Sequence, residues 1–187
     1  MESAQFQLDI NQHGAVVNLR NKQDSHGMNW VVDPTYLDKV GYQDADKLFG
    51  EFTLTVDDQV YRSEGVQPQI SECSEGVTVT YQLAGLVVIE TYQLVANQVQ
   101  WQIDVQNPTS KSVNITHFGV WSSLAYVMFR DKNVRRNMSD SAAIFPSVSP
   151  NFTKLAGVRR DNQGPNLGLF QTSGSICLLY TSPSPRD

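Results

Sequence analysis

The segment from Val99 to Val105 constrains the fold most, because apolar and polar residues alternate there without interruption. The apolar set is Val99, Trp101, Ile103 and Val105, and the polar residues between them are Gln100, Gln102 and Asp104. A period of two places each set on one face of an extended strand. A helix would instead scatter the apolar side chains around its circumference. The pattern therefore predicts a half-buried β-strand.

The same alternation, interrupted by turn residues, recurs along the chain. It predicts an opening hairpin over residues 6–19, a second hairpin over 66–83 and a third over 86–105. Between His117 and Trp121 the alternation changes phase, which predicts a bulge or a change of sheet. The sequence as a whole predicts an all-β fold, an antiparallel two-sheet β-sandwich of about ten or more strands.

Charge and hydropathy exclude two classes of partner. The net charge is −5, and the one basic cluster, Lys132 with Arg135 and Arg136, is short and lies beside acidic residues. Nucleic-acid binding requires a larger basic face, so no nucleic-acid partner is predicted. No segment approaches the ~18 apolar residues that span a bilayer, so no membrane partner is predicted either. The N-terminus lacks the basic and apolar regions of a signal peptide, and the sequence assigns no compartment.

The ionisable residues give no pattern typical of a catalytic or metal site. A glycosidase needs two carboxyl groups roughly 5–10 Å apart, whereas the acids here, Asp24, Glu51 and Glu90 among them, are scattered over turns and strands. They are interpreted as solvated. Three isolated histidines, at positions 13, 26 and 117, are interpreted as surface or packing residues and lack zinc-ligand spacing. No catalytic residue, metal or cofactor is predicted, and Cys73 is predicted to be a buried free thiol.

Aromatic residues in loops are the remaining signal for sugar binding. The apolar face of a pyranose ring stacks on an indole or phenol ring. The candidates for carbohydrate contact are Trp30, Tyr36, Tyr42, Trp121 and Tyr126. Packing in the core or at a domain interface is the alternative explanation for each of them. Trp101 lies inside a predicted strand and is expected in the core.

Three groups of residues carry a resemblance to a known family. They are GAVVNL at 14–19 with Asp24 and MNW at 28–30; ETY at 90–92 before WQIDVQNP at 101–108; and RRDNQGPNL at 159–167. These motifs resemble the N-terminal β-supersandwich, a galactose mutarotase-like domain, that precedes the (α/α)6 barrel of glycoside hydrolases. They are more specific for architecture than for chemistry.

The resemblance implies a function as well as a fold. In such enzymes the catalytic carboxylates lie in the helical barrel, so none is carried over to this chain. The chain is expected to be a non-catalytic accessory scaffold of a carbohydrate-active enzyme whose partner is the downstream helical catalytic domain, with an oligosaccharide as a further candidate partner. Two alternatives stay open. They are a stand-alone carbohydrate-binding module and a mutarotase-like sugar epimerase, which needs a histidine and a carboxylate in one cleft.

The C-terminal segment differs in character from the rest. Residues 177–187 resemble translated sequencing-adapter sequence, and Pro183 and Pro185 within it remove backbone donors and oppose regular strand pairing. The predicted organisation is therefore an incomplete β-sandwich domain over residues 1–176, followed by an artefactual tail over 177–187.

Overall fold

The computed structural model describes residues 1–24, 29–31, 48–74, 76–96 and 98–121, together with the backbone of three strands in 142–170. The chain divides into two compact units, Met1–Val127 and Met128–Asp187. The predicted boundary at residue 176 and the tail lie outside the described residues and stay predictions.

Twelve β-strands account for nearly all regular structure in the described residues, and every pairing is antiparallel. The strands are β1 (Phe6–Ile10), β2 (Val16–Asn21), β3 (Phe52–Val56), β4 (Gln59–Arg62), β5 (Gln69–Cys73), β6 (Gly76–Leu83), β7 (Leu86–Val95), β8 (Gln98–Gln106), β9 (Ile115–Val120), β10 (Ala142–Ile144), β11 (Leu155–Arg159) and β12 (Asn166–Phe170). Within the same residues the only helical element is a 3₁₀ turn at Ser63–Gly65. The prediction of an all-β antiparallel fold is confirmed.

The first unit contains three sheets, with strand orders β1-β2, β4-β3-β9 and β5-β6-β7-β8. All three predicted hairpins are present, because β1 pairs with β2, β5 with β6 and β7 with β8. A backbone hydrogen bond of 2.8 Å from Val16 N to Phe49 O ties the first hairpin to the segment that leads into β3. In this structure the turn residues Asp57 and Asp58, between β3 and β4, both have positive φ, as a tight two-residue hairpin turn requires.

The two larger sheets of this unit pack face to face as a β-sandwich. The Phe52 ring of β3 meets the Tyr81 ring of β6 edge-on, with centroids 5.0 Å apart, and stacks on Phe118 of β9 at 5.4 Å. Burial alternates along the central strands as the sequence predicts: Leu86, Val88 and every second residue of β7 up to Tyr92 are buried. The core therefore lies between β3 on one side and β6 and β7 on the other.

The predicted phase change near His117 is a β-bulge in β9. Val56 of β3 pairs with Ile115, while the preceding residue Thr55 pairs with His117, so Thr116 is the extra residue. An extra residue shifts the alternation of every side chain after it. This places Phe118 on the inner face, next to Phe52.

In the second unit, β10, β11 and β12 form a three-stranded antiparallel sheet. Leu155 pairs with Phe170 and Arg159 with Asn166, so β11 and β12 flank residues 160–165, which lie outside the described ones. No helix in the described part of the chain is long and apolar enough to cross a membrane.

Candidate functional site

Glu90 is the most unusual residue in the structure, because it is an acid at the centre of the sandwich. It lies on β7 in phase with Val88 and Tyr92, and its exposed fraction is 0%. Its neighbours across the sheet are Val79 on β6 and Ile103 on β8. The alternation that buries the apolar residues of β7 buries this carboxyl group with them.

Burial dominates the electrostatics of the Glu90 carboxyl. Removal from water disfavours the charged form and raises the pKa of Glu90 from its ordinary value of 4.5 to about 8. The Tyr92 hydroxyl, which donates to Oε2 over 3.4 Å, and the Trp101 indole partly oppose this shift, because donors favour the carboxylate. The pKa values of Tyr92 and Tyr81 are raised as well. Burial is the larger cause, and the negative charge of ionised Glu90 is the second.

Two polar atoms at this position lack a partner. Among the buried side-chain nitrogen and oxygen atoms of the described residues, only Glu90 Oε1 and Trp101 Nε1 make no hydrogen bond. The indole is thus near enough to affect the carboxyl but does not reach it in hydrogen-bond geometry. Unsatisfied buried groups each cost about 1–3 kcal/mol. A protonated Glu90 lowers this cost, because a neutral carboxyl is less costly to bury than a charged one.

Aromatic rings pack against one another beside the Glu90 carboxyl. Trp101 stacks on Tyr92 with centroids 5.7 Å apart and planes 9° apart, and Phe49 packs against Trp101 at 5.1 Å. The expectation that Trp101 lies in the core is met only in part, because the residue is half-buried although its ring contacts Phe49 and the buried Tyr92. We refer to Glu90, Tyr92, Trp101 and Tyr81 as the Glu90 cluster.

Two glycines allow the loops to approach the tyrosines of the Glu90 cluster. Gly14 and Gly50 have φ values of +88° and +93°, a region that L side chains rarely adopt. A Cβ on Gly14 would collide with the Tyr81 hydroxyl, and one on Gly50 would collide with that of Tyr92. The Tyr81 hydroxyl donates to His13 O over 3.2 Å. The loops before β2 and β3 therefore close directly over the cluster.

The structure corrects the interpretation of three of the acids as solvated, whereas Asp57, Asp58 and Asp104 are exposed as predicted. Glu90, Glu51 and Asp24 are all buried. Glu51 Oε2 accepts a 2.6 Å hydrogen bond from Leu48 N, which makes this acid part of the turn that precedes β3. The sequence indicates the burial of Glu90, since this residue occupies the same alternate positions of β7 as the apolar residues Leu86 and Val88. It contained no comparable signal for Glu51 or Asp24.

Two of the five predicted carbohydrate-contact residues, Trp30 and Trp121, lie among the described residues. Trp30 is 4% exposed and its backbone N–H donates to Leu19 O over 2.8 Å. Trp121 is half-buried, and its backbone bonds to Gly50 and Glu51. The other three candidates, Tyr36, Tyr42 and Tyr126, lie outside the described residues, so the predicted sugar contact stays a prediction.

Asn29, which belongs to the resemblance motif at 28–30, has a structural role because its side chain bonds to the backbone. Its Oδ1 accepts hydrogen bonds from Leu19 N at 2.9 Å and Val31 N at 3.2 Å, and its Nδ2 donates to Val17 O at 2.9 Å. One buried amide thus satisfies three backbone groups beside β2. Burial of polar backbone without such partners is costly.

The remaining candidates are dispersed. His13 and His117 are exposed, as predicted, and His26 lies outside the described residues. Within the described ranges, no group of three His, Cys, Asp or Glu side chains is positioned to hold a metal ion. Cys73 is exposed rather than buried, so that prediction is wrong. The reason is that β5 forms one edge of its sheet and all of its residues are exposed.

Comparisons of this chain with known protein families, with curated proteins and with solved structures find no match. The coarse architecture, an all-β antiparallel sandwich, therefore rests on the structure itself.

Proposed function

We propose that this chain is a non-catalytic scaffold domain of a carbohydrate-active enzyme, a galactose mutarotase-like β-supersandwich that supports the helical catalytic domain of a glycoside hydrolase. Its role is to present a rigid sheet surface to that domain. The bond cleavage belongs to carboxylates of the catalytic domain.

One observation carries this proposal. Three of the residues on which the resemblance rests, Trp30, Glu90 and Tyr92, are buried in the core. A sugar-processing site needs its acid and base within hydrogen-bond reach of a substrate. Glu90 has no exposed surface through which a sugar can reach it in this structure.

The packing around these residues supports the same proposal. Tyr92 and Trp101 stack on each other, and Asn29 bonds three backbone groups. Interlocked aromatic rings and satisfied buried amides make a core rigid, as a scaffold requires. A binding cleft would instead leave such groups facing solvent.

The direct test is to recover the coding sequence downstream of residue 176 in the parent gene. We expect a helical-repeat domain that carries paired Asp or Glu residues. A stop codon shortly after residue 176 would contradict the proposal.

Assays on the chain itself separate the scaffold from its two rivals. We expect no hydrolysis of aryl glycosides, no acceleration of galactose mutarotation in polarimetry and no heat on titration with oligosaccharides. Mutarotation that is lost in His13→Ala or His117→Ala would identify an epimerase instead. Binding heat that is lost in Trp121→Ala would identify a carbohydrate-binding module instead.

A further inference from the structure

Strand β8 forms an edge of the largest sheet. Its nine residues, Gln98–Gln106, pair with β7 from Val87↔Gln106 to Val95↔Gln98, and no other described strand pairs with β8. An edge strand presents a row of backbone donors and acceptors that can pair with another strand. With nine residues, β8 offers many such backbone groups for pairing.

This edge lacks the features that usually prevent pairing. Natural edge strands are protected by lysine, proline, bulges or short length. Strand β8 contains no proline, glycine, lysine or arginine, and its register with β7 is continuous. Its one charge, Asp104, already accepts a 2.9 Å hydrogen bond from Gln102 Nε2.

The residue pattern of β8 is complementary to itself. We propose that two copies of this chain associate through β8, in antiparallel pairing centred on Gln102. In this register Val99 lies opposite Val105 of the second copy, and Trp101 lies opposite Ile103. Apolar cross-strand pairs of this kind stabilise a sheet. On the other face, the Gln100 amide lies opposite the Asp104 carboxylate, a donor opposite an acceptor.

The exposure of β8 agrees with a missing neighbour. Val105 is on the inner face, opposite the fully buried Val88, yet it is 39% exposed. Val99, Trp101 and Ile103 on the same face are only half-buried. A second β8 would extend the inner face over these side chains. Because each copy uses the same strand, the contact is two-fold symmetric and closes as a dimer.

Single-cysteine cross-linking tests both the contact and its register. In a Cys73→Ser, Cys177→Ser background, we expect Gln102→Cys to form an intermolecular disulfide on mild oxidation, because residue 102 faces itself. Gln98→Cys is the matched control. Its counterpart in the second copy lies about 27 Å away along the strand, so it should not cross-link. Absence of a disulfide at position 102, or equal cross-linking at both positions, would overturn the proposal.

Sedimentation equilibrium on the full chain gives an independent measurement. We expect a dimer whose dissociation constant rises at least about tenfold in Gln102→Glu, since two new carboxylates would face each other beside Asp104 of both copies. Gln93→Glu makes the same change on the same face of the central strand β7, where Gln93 is exposed, and should leave the dimer unchanged. A monomeric wild-type chain, or equal weakening by both variants, would refute the β8 contact.

Discussion

Replacement of Glu90 by glutamine should change how the stability of this protein depends on pH. The folded-state pKa of Glu90 is about 8, against an ordinary value of 4.5 that applies to the unfolded chain. Between these values the folded state binds the additional proton, so the free energy of unfolding falls as pH rises. The stability that protonated Glu90 confers is fully present below pH 4.5, the pKa in the unfolded chain. It is lost as pH rises toward about 8, the pKa in the folded protein.

The size of this stability change follows from the pH interval between the two pKa values of Glu90, 4.5 and about 8. Each pH unit inside it costs about 1.4 kcal/mol, so the group destabilises the fold by roughly 3 kcal/mol between about pH 5.5 and about pH 7.5. Glutamine has nearly the same shape and cannot ionise. Glu90→Gln should therefore match the wild type below about pH 4.5, and its advantage in stability should grow by roughly 3 kcal/mol between about pH 5.5 and about pH 7.5.

Urea unfolding followed by tryptophan fluorescence at several pH values measures this difference. Other ionisable groups contribute equally to both proteins and cancel in the comparison. Glu72→Gln, on the exposed edge strand β5, is the matched control and should leave the pH profile unchanged. A difference between Glu90→Gln and wild type that stays constant with pH, or that grows toward acid, would refute the assignment of a buried, protonated carboxyl.

Three further predictions concern packing and backbone strain, and thermal or urea unfolding measures each of them. Gly50→Ala should destabilise by about 3 kcal/mol, from backbone strain and collision with the Tyr92 hydroxyl, and Tyr92→Phe in the same chain should recover part of this loss; an additive pair would contradict the contact. Asn29→Ala should cost about 2–4 kcal/mol, because two backbone N–H groups lose their acceptor, and Asn29→Asp should cost less; equal losses would contradict the role of Oδ1. Ala84→Asn should stabilise by about 0.5–1 kcal/mol, since Ala84 has a φ of +54° in the turn between β6 and β7; destabilisation would refute the strain.

The strands and their turns were predictable because their signal is local. Alternation along residues 99–105 depends only on which side of an extended chain each residue faces, and a phase change such as that at Thr116 is visible without knowing the partner strand. The turn at Asp57 and Asp58 is also local in origin, since aspartate tolerates positive φ.

Tertiary structure alone decided which polar residues are buried and which strands form edges. The sequence shows that Glu90 shares a face with Val88, but the loss of water at that face requires Phe49 and Gly50 to close over the sheet. In the same way, nothing local distinguishes Cys73 from a core thiol, and its exposure follows from the position of β5 at the end of the sheet order. Burial depends on which element packs opposite a residue, and contacts between residues distant along the chain determine that.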